Sequence, residues 1–369
     1  MPGSMNQVPW RRKRSSVSAR GREETGATGL PAPAGGRVPC LLMAVPVAIS
    51  LLYVHRYGVN APYNDGVTLI PLLEKLLAGE LGWGDLYAQH NEHRIFFPRL
   101  ALLLLGLATG FNDVAAMYAI QVFLLITTVA LLIVFRRTVS ANLWLFVPVP
   151  FLIFNLGQSW NLLQGFQLTL VFVQTFTVLS FALIHLCPDG SRGAPFFLGA
   201  LASGVLATFS SAPGLLVWPL GLLQLLLHSA GSRPRKVLAG LWGLAGALSW
   251  ALYLRGYESA ETTSWRYSLN HPQESAEYLV SALGASLFHG NLDLAFSGGL
   301  LLVFLAAAGL LLSLKRRRLR ADSFWLAALT FALLTLAATT IARGMMPEDA
   351  LNPKYATYSV LAPVSIYAI

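Results

Sequence analysis

The chain has 369 residues, of which 55% are hydrophobic and only 12% charged, with a formal net charge of +9 and two cysteines. Apolar runs of the roughly 20 residues needed to cross a bilayer recur along it, which excludes a soluble enzyme or a separate soluble domain of any size. These runs lack the period-2 alternation of a barrel, so the expected fold is all-α, a polytopic transmembrane helical bundle. The first 37 residues are rich in Ser, Gly, Pro and Arg, carry RRKR at 11 to 14, and hold too little apolar surface to order. They are expected to form a disordered basic cytoplasmic arm that touches anionic headgroups. The leader is too long for a cleaved signal peptide, and Val59, Asn60, Ala61 is a poor cleavage site.

About ten spans follow from the apolar runs: 40 to 57, 113 to 135, 140 to 156, 167 to 187, 195 to 209, 212 to 228, 236 to 255, 293 to 314, 322 to 342 and 356 onward. The apolar piece from Ile95 to Gly110 is expected to lie in the outer interface. If it crossed, RRKR and the KRRRLR run at 315 to 320 would fall on opposite faces, against the positive-inside rule. With that choice Arg136, Arg137, Arg192, Arg233, Arg235, Lys236 and the 315 to 320 run all fall on the cytoplasmic side. The acidic residues Asp65, Glu74, Glu80, Asp85, Glu92, Glu258 and Asp349 fall outside. This gives a multi-pass cell-membrane protein with a cytoplasmic N-terminus. Cys40 and Cys187 both fall near the inner face, where thiols stay reduced, so no disulfide is expected. The chain stops at Ile369 inside the apolar run YSVLAPVSIYAI, which reads as a truncated span. Residues 38 to 369 form one transmembrane domain on this reading. No phosphate-cradling Gly-rich loop is present, and the positive charge serves topology, so a nucleotide or nucleic-acid partner is not expected.

Polar residues concentrate in the outer loops. Asp65, in APYND just after the first span, sits where partial desolvation suits a general base; Asn64, Asp65, Gly66 is equally ordinary turn and helix-cap chemistry. Beyond the amphipathic segment GVTLIPLLEKLLAGE and Asp85 comes the densest cluster, His90, Glu92, His93, Arg94 and Arg99. His90 and His93 with Glu92 between them leave a divalent cation possible as cofactor, although the HExxH pattern is absent and the ligand set incomplete. Alternatively this is an interfacial belt in which Arg94 and Arg99 snorkel to phosphates. Gln158, Trp160, Asn161, Gln164 and Gln167 suit hydrogen bonding and stacking against a sugar ring, or an aromatic belt. Ser210 and Ser211 mark another outer turn. Arg343, Lys354 and Tyr355 flank the last outer loop, where two cations either neutralise a phosphate or anchor span ends.

This order of features resembles the GT-C superfamily of integral-membrane glycosyltransferases, which includes protein O-mannosyltransferases and lipid A aminoarabinose transferases. The resemblance rests on Asp65 in the first outer loop, the interfacial segments 66 to 80 and 94 to 110, and a second full span ending in Arg136 and Arg137. QHNEHRIFFPRL, WNLLQGF, FSSAPGLLVWP, and the terminal ARG with KYATYS look like a poorly characterised bacterial branch. The resemblance implies a polyprenyl-phosphate sugar donor, a glycan, lipid or protein acceptor, and an extracytoplasmic active site. It gives Asp65 the place of the acidic catalytic residue, sets Glu92, His93 and Arg94 near acceptor and sugar, and sets Arg343 and Lys354 near the lipid phosphate. The acidic motif here is Asn-Asp and not two carboxylates, which bears on metal dependence, and Lys354 stands where the family carries Arg, giving up bidentate phosphate recognition. The rival function is a transporter or flippase, which should place polar groups near mid-membrane on broken helices.

Overall fold

A computed structural model describes residues 36–228, 233–258, 265–343 and 347–369. The basic arm with its RRKR run lies outside the described residues, apart from its last two positions. The first half of the chain forms α1 (Arg37–Tyr57), α2 (Ile70–Ala78), α3 (Trp83–Tyr87), β1 (Gln89–His90), β2 (His93–Arg94), α4 (Phe96–Thr109), α5 (Asp113–Thr138), α6 (Pro148–Ile153), α7 (Ser159–Leu162) and α8 (Leu168–Leu186). The second half forms α9 (Ala194–Thr208), α10 (Val217–His228), α11 (Arg233–Leu254), α12 (Trp265–Asn270), α13 (Pro272–Gly284), α14 (Leu292–Lys315), α15 (Ser323–Arg343), α16 (Ala356–Ser359) and α17 (Leu361–Ala368). The fold is all-α, and its single two-residue hairpin is the only sheet among the described residues.

Seven helical stretches are long and apolar enough to cross a membrane: Arg37–Tyr57, Asp113–Thr138, Leu143–Leu162, Gly165–Leu186, Arg235–Leu254, Leu292–Lys315 and Ser323–Arg343. The other three expected spans form as shorter helices, yet contacts tie each to the same two ends of the bundle. The turn between α9 and α10 meets the first long loop, where the Phe97 N–H donates to the Phe209 carbonyl at 3.2 Å. At the opposite end of α10, His228 stands edge-on to His185 at the end of α8, with ring centroids 5.4 Å apart. Likewise α16 follows Lys354, whose ammonium lies 3.6 Å from Asp65 in the first long loop, and the Tyr367 hydroxyl of α17 reaches the Leu145 carbonyl at 2.7 Å.

Helix α8 is the axis of the bundle, buried along most of its length and packed against α5, α9, α10 and α15. Three of its polar side chains are bonded to neighbouring segments. Thr175 meets Thr127 of α5 at 2.8 Å, Ser180 donates to the Ala200 carbonyl of α9 at 3.0 Å, and the Gln174 amide donates to the Thr357 carbonyl at 2.7 Å. Helices α13 and α14 approach so closely that a side chain at Gly284 or Gly299 would collide with the facing backbone, which is why both positions are glycine.

Helix α4 has 14 residues and so reaches about 21 Å, short of the roughly 30 Å hydrocarbon core. Its apolar face, including Leu102 and Leu103, packs inward, and Gly110 in the left-handed region (φ 66°) ends it. This predicts that both its ends stay on one side of the membrane. In a chain lacking Cys40 and Cys187, single cysteines at Glu80 and Asn112 should both react with an impermeant thiol reagent applied from outside. Labelling at Glu80 with protection at Asn112 would mean that α4 crosses.

Candidate functional site

A cavity of about 170 Å³ opens where the first long loop, the α9–α10 turn and the last loop converge. It is lined by Asp65, His90, Glu92, His93, Gln167, Ser211, Arg343, Lys354, Tyr355 and Tyr358, among others. Residues from opposite ends of the sequence therefore share one polar site.

Asp65 lies in a 3₁₀ turn, Asn64–Leu69, that the chain enters with Asn64 at φ 52°. Tyr63 takes the cap position, and no side chain bonds the freed N–H groups, so the Asp65 carboxylate is not a helix cap. It faces the cavity instead, with Oδ2 at 3.6 Å from Lys354 Nζ and Oδ1 at 4.0 Å from His90 Nε2.

His90 and His93 stand directly opposite each other across the β1–β2 hairpin, whose turn places Asn91 at φ 48°. His90 rests against Phe166, with centroids 5.2 Å apart, and His93 Nδ1 accepts from the Ala212 N–H at 3.4 Å. Among the described residues no group of three or more His, Cys, Asp or Glu side chains converges as a metal site. Burial pushes His90 down from its ordinary value, partly offset by the Asp65 charge, and pushes His93 down to about 4. Both rings are neutral near pH 7.

Lys354 is fixed through its backbone. The Asn161 amide donates to the carbonyls of Pro353 and Lys354, each at 3.1 Å, and to the Thr357 hydroxyl at 2.7 Å. Thr357 in turn donates to Gln158 at 3.0 Å. The Lys354 ammonium also lies 5.9 Å from the Trp160 ring centre, a cation–π contact. Arg343 is the last residue of α15 and makes no ion pair among the described residues. Burial pushes the Tyr355 phenol upward, with Arg343 pulling the other way. Tyr355 is thus a protonated donor at neutral pH.

Other expected site residues lie elsewhere. Arg94 is buried, not snorkelling: its guanidinium donates to the carbonyls of Tyr253 (2.7 Å), Tyr87 (3.0 Å) and Arg255 (2.6 Å). Arg99 is buried too and bonds the Leu86 and Ala88 carbonyls. Both arginines satisfy loop carbonyls that hydrocarbon would leave unpaired, so neither offers charge to a ligand. Asp85 pairs with Lys75 and accepts from the Gly82 N–H at 2.9 Å, and these two bonds hold its carboxyl below the usual range. It caps α3 outside the cavity. Trp160 and Gln164 line a separate cleft of about 450 Å³ with Tyr57 and Tyr63, while the Asn161 amide is taken up by the last loop, through the Pro353 and Lys354 carbonyls and the Thr357 hydroxyl. Of the amide group, Gln167 alone reaches the polar cavity.

The hydroxyls of Ser211 and Tyr358 were not anticipated as site groups. Both are buried in the cavity wall, near one another, and neither makes a hydrogen bond of good geometry. Ser211 read as a turn residue, and Tyr358 as part of an apolar terminal run; only the fold aims them at the same space.

Comparison with protein-family models, curated proteins and solved structures finds no match for this chain.

His93 generates a stability prediction. Its folded value of about 4 lies below the ordinary 6.5, so between those values the unfolded chain binds the extra proton. The contribution of the neutral ring is complete above about pH 6.5 and is lost as pH falls toward 4. His93 keeps a minor part of its surface exposed, so solvent screening reduces the full effect and the expected loss is about 1–2 kcal/mol. Thermal unfolding in detergent should show a lower midpoint at pH 4.5 than at pH 7, and His93→Gln should shrink that difference.

Proposed function

We propose that the chain is a membrane glycosyltransferase of the GT-C type, which moves a sugar from a polyprenyl-phosphate donor to a hydroxyl acceptor on the extracytoplasmic side, with inversion. The observation that carries this reading is the convergence in one cavity of a carboxylate, a neutral imidazole and two cations, Asp65, His90, Lys354 and Arg343. A base beside fixed positive charge is what such a transfer needs. Asp65 takes the acceptor proton, the acceptor oxygen bonds to the anomeric carbon, and the bond from that carbon to the phosphate oxygen breaks. The electron pair leaves with the phosphate, whose charge Arg343 and Lys354 balance. Without substrate Lys354 rests on Asp65; an incoming phosphate draws the ammonium away and leaves the carboxylate to act as base. Neutral His90 faces the other carboxylate oxygen and suits a role in relaying the proton. Glu92, His93 and Gln167 line the space left for sugar and acceptor.

A cavity of this size is below the roughly 300–1,000 Å³ of typical small-molecule sites, so the site must open as the Asp65–Lys354 pair parts. The polar groups sit at one end of the bundle, which favours an enzyme over a transporter with a mid-membrane site.

Two measurements test this. Asp65→Asn preserves size and removes the proton acceptor, so insertion and unfolding temperature should be kept while turnover drops by about 100- to 10,000-fold. Full glycosyl-transfer activity of that variant in donor-supplied membranes would overturn the assignment. Arg343→Gln and Lys354→Gln should each weaken donor use by about 2–4 kcal/mol in transition-state terms, while Lys354→Arg is tolerated. If both glutamine variants match wild type in donor KM and turnover, the phosphate assignment fails.

A further inference from the structure

At the end of the bundle opposite the polar cavity, α10, α14 and α15 enclose a groove of about 480 Å³. Leu223, Leu227, Val303, Ala307, Leu310 and Leu333 form much of its wall, and its few polar atoms include those of Gln224 and Ser323. On α15 it runs from Ser323 to Leu333, about 15 Å at the helical rise, which is half of a roughly 30 Å hydrocarbon core. The groove therefore occupies the depth of a single leaflet. It does not include Thr339 or Arg343, the α15 residues that line the polar cavity.

Its mouth is the turn between α14 and α15. Leu319 of that turn lines the groove, and Lys315, Arg316, Arg317 and Arg320 stand exposed around it. Arg318 is already used: it pairs with Asp322 at 3.2 Å and donates to the Thr138 carbonyl at 3.3 Å. The other four cations make no ion pair among the described residues. Arg317 takes the left-handed position (φ 54°) that ends α14, a place where glycine is usual. Leu223, Val303 and Leu310 remain substantially exposed, so the groove lacks a covering element within the described residues.

We infer that this groove and its basic mouth form a binding site for one anionic glycerophospholipid, with an acyl chain against α10, α14 and α15 and the phosphate held by Arg316, Arg317 and Arg320. Charge complementarity selects the occupant. A zwitterionic lipid fills the groove but brings no net charge to the cations, a soluble phosphate brings charge but no chain, and a long lipid entering from the polar cavity leaves the cations unused. Cations near an anionic headgroup favour binding by on the order of five-fold each. The inference is independent of the proposed transferase activity, because the site lies at the other end of the bundle.

The test is native mass spectrometry of the full-length chain in mild detergent, titrated in parallel with dioleoyl phosphatidylglycerol, dioleoyl phosphatidylcholine and glycerol 3-phosphate. The expected result is one retained phosphatidylglycerol per chain, preferred over phosphatidylcholine by on the order of ten-fold or more, with no retention of glycerol 3-phosphate. Substituting Arg316→Gln, Arg317→Gln and Arg320→Gln together should equalise the two lipids, and Ala307→Trp should abolish retention of both. The triple variant changes only exposed side chains, so its result stands even if the tryptophan variant fails to fold. Equal retention of the two lipids by wild type, a preference that survives in the triple variant, or retention of glycerol 3-phosphate as strong as that of the lipid would each overturn the proposal.

Discussion

Hydrocarbon offers no hydrogen-bond partner, and the pairing of many buried polar groups among the described residues answers that constraint. Along the buried α8, Gln174, Thr175 and Ser180 are each bonded to a neighbouring segment. Each such bond fixes the rotation of one helix about another, which general apolar packing does not do. The same constraint explains Arg94 and Arg99. Carbonyls at residues 85 to 88 and 253 to 255, at helix ends and just beyond them, turn inward, and a guanidinium with five donors is the side chain best able to satisfy several at once.

Those internal bonds anchor the backbone around the polar cavity. Asn161, Gln158 and Gln174 all engage the segment around Thr357, holding the last loop against the body of the bundle. Lys354 thereby arrives opposite Asp65 on a backbone already anchored at both of its carbonyl neighbours. The β1–β2 hairpin supplies the facing wall, tied to α11 and the residues after it through the Tyr253 and Tyr257 hydroxyls that donate to the Glu92 carbonyl. Asp65, His90 and Lys354 are thus carried by short turns, and the last of these is clamped by the buried side chains of Asn161, Gln158 and Gln174. This anchoring suits electrostatic catalysis, in which charges are positioned before the substrate arrives.

Helix α15 joins the two ends of the molecule. Arg343 at one terminus contributes to the polar cavity, and Ser323 at the other lies in the lipid-facing groove, where it also contacts His185 at 3.2 Å. Charge divides along the same axis: basic turns cluster at one end, and the mixed acidic and basic cavity sits at the other.

The all-α fold and the positions of the long spans were legible in the sequence, because apolar run length and the distribution of Lys and Arg respond directly to bilayer thickness and potential. Asp65, His90, His93, Arg343 and Lys354 stood out as polar residues in outer loops for the same reason. What the sequence could not decide was which of them share a cavity, since that depends on contacts between segments far apart in the chain. The local run that suggested a ligand cluster instead splits across a hairpin, with Arg94 turned inward to carbonyls of α11 and its following loop and His90 turned toward Asp65. The cap role of Asp65 was lost in the same way, as the turn geometry gives that position to Tyr63. Ser211 read only as a turn residue and Tyr358 only as part of a terminal run, because a hydroxyl becomes a cavity-wall group only when tertiary packing buries it beside a polar space.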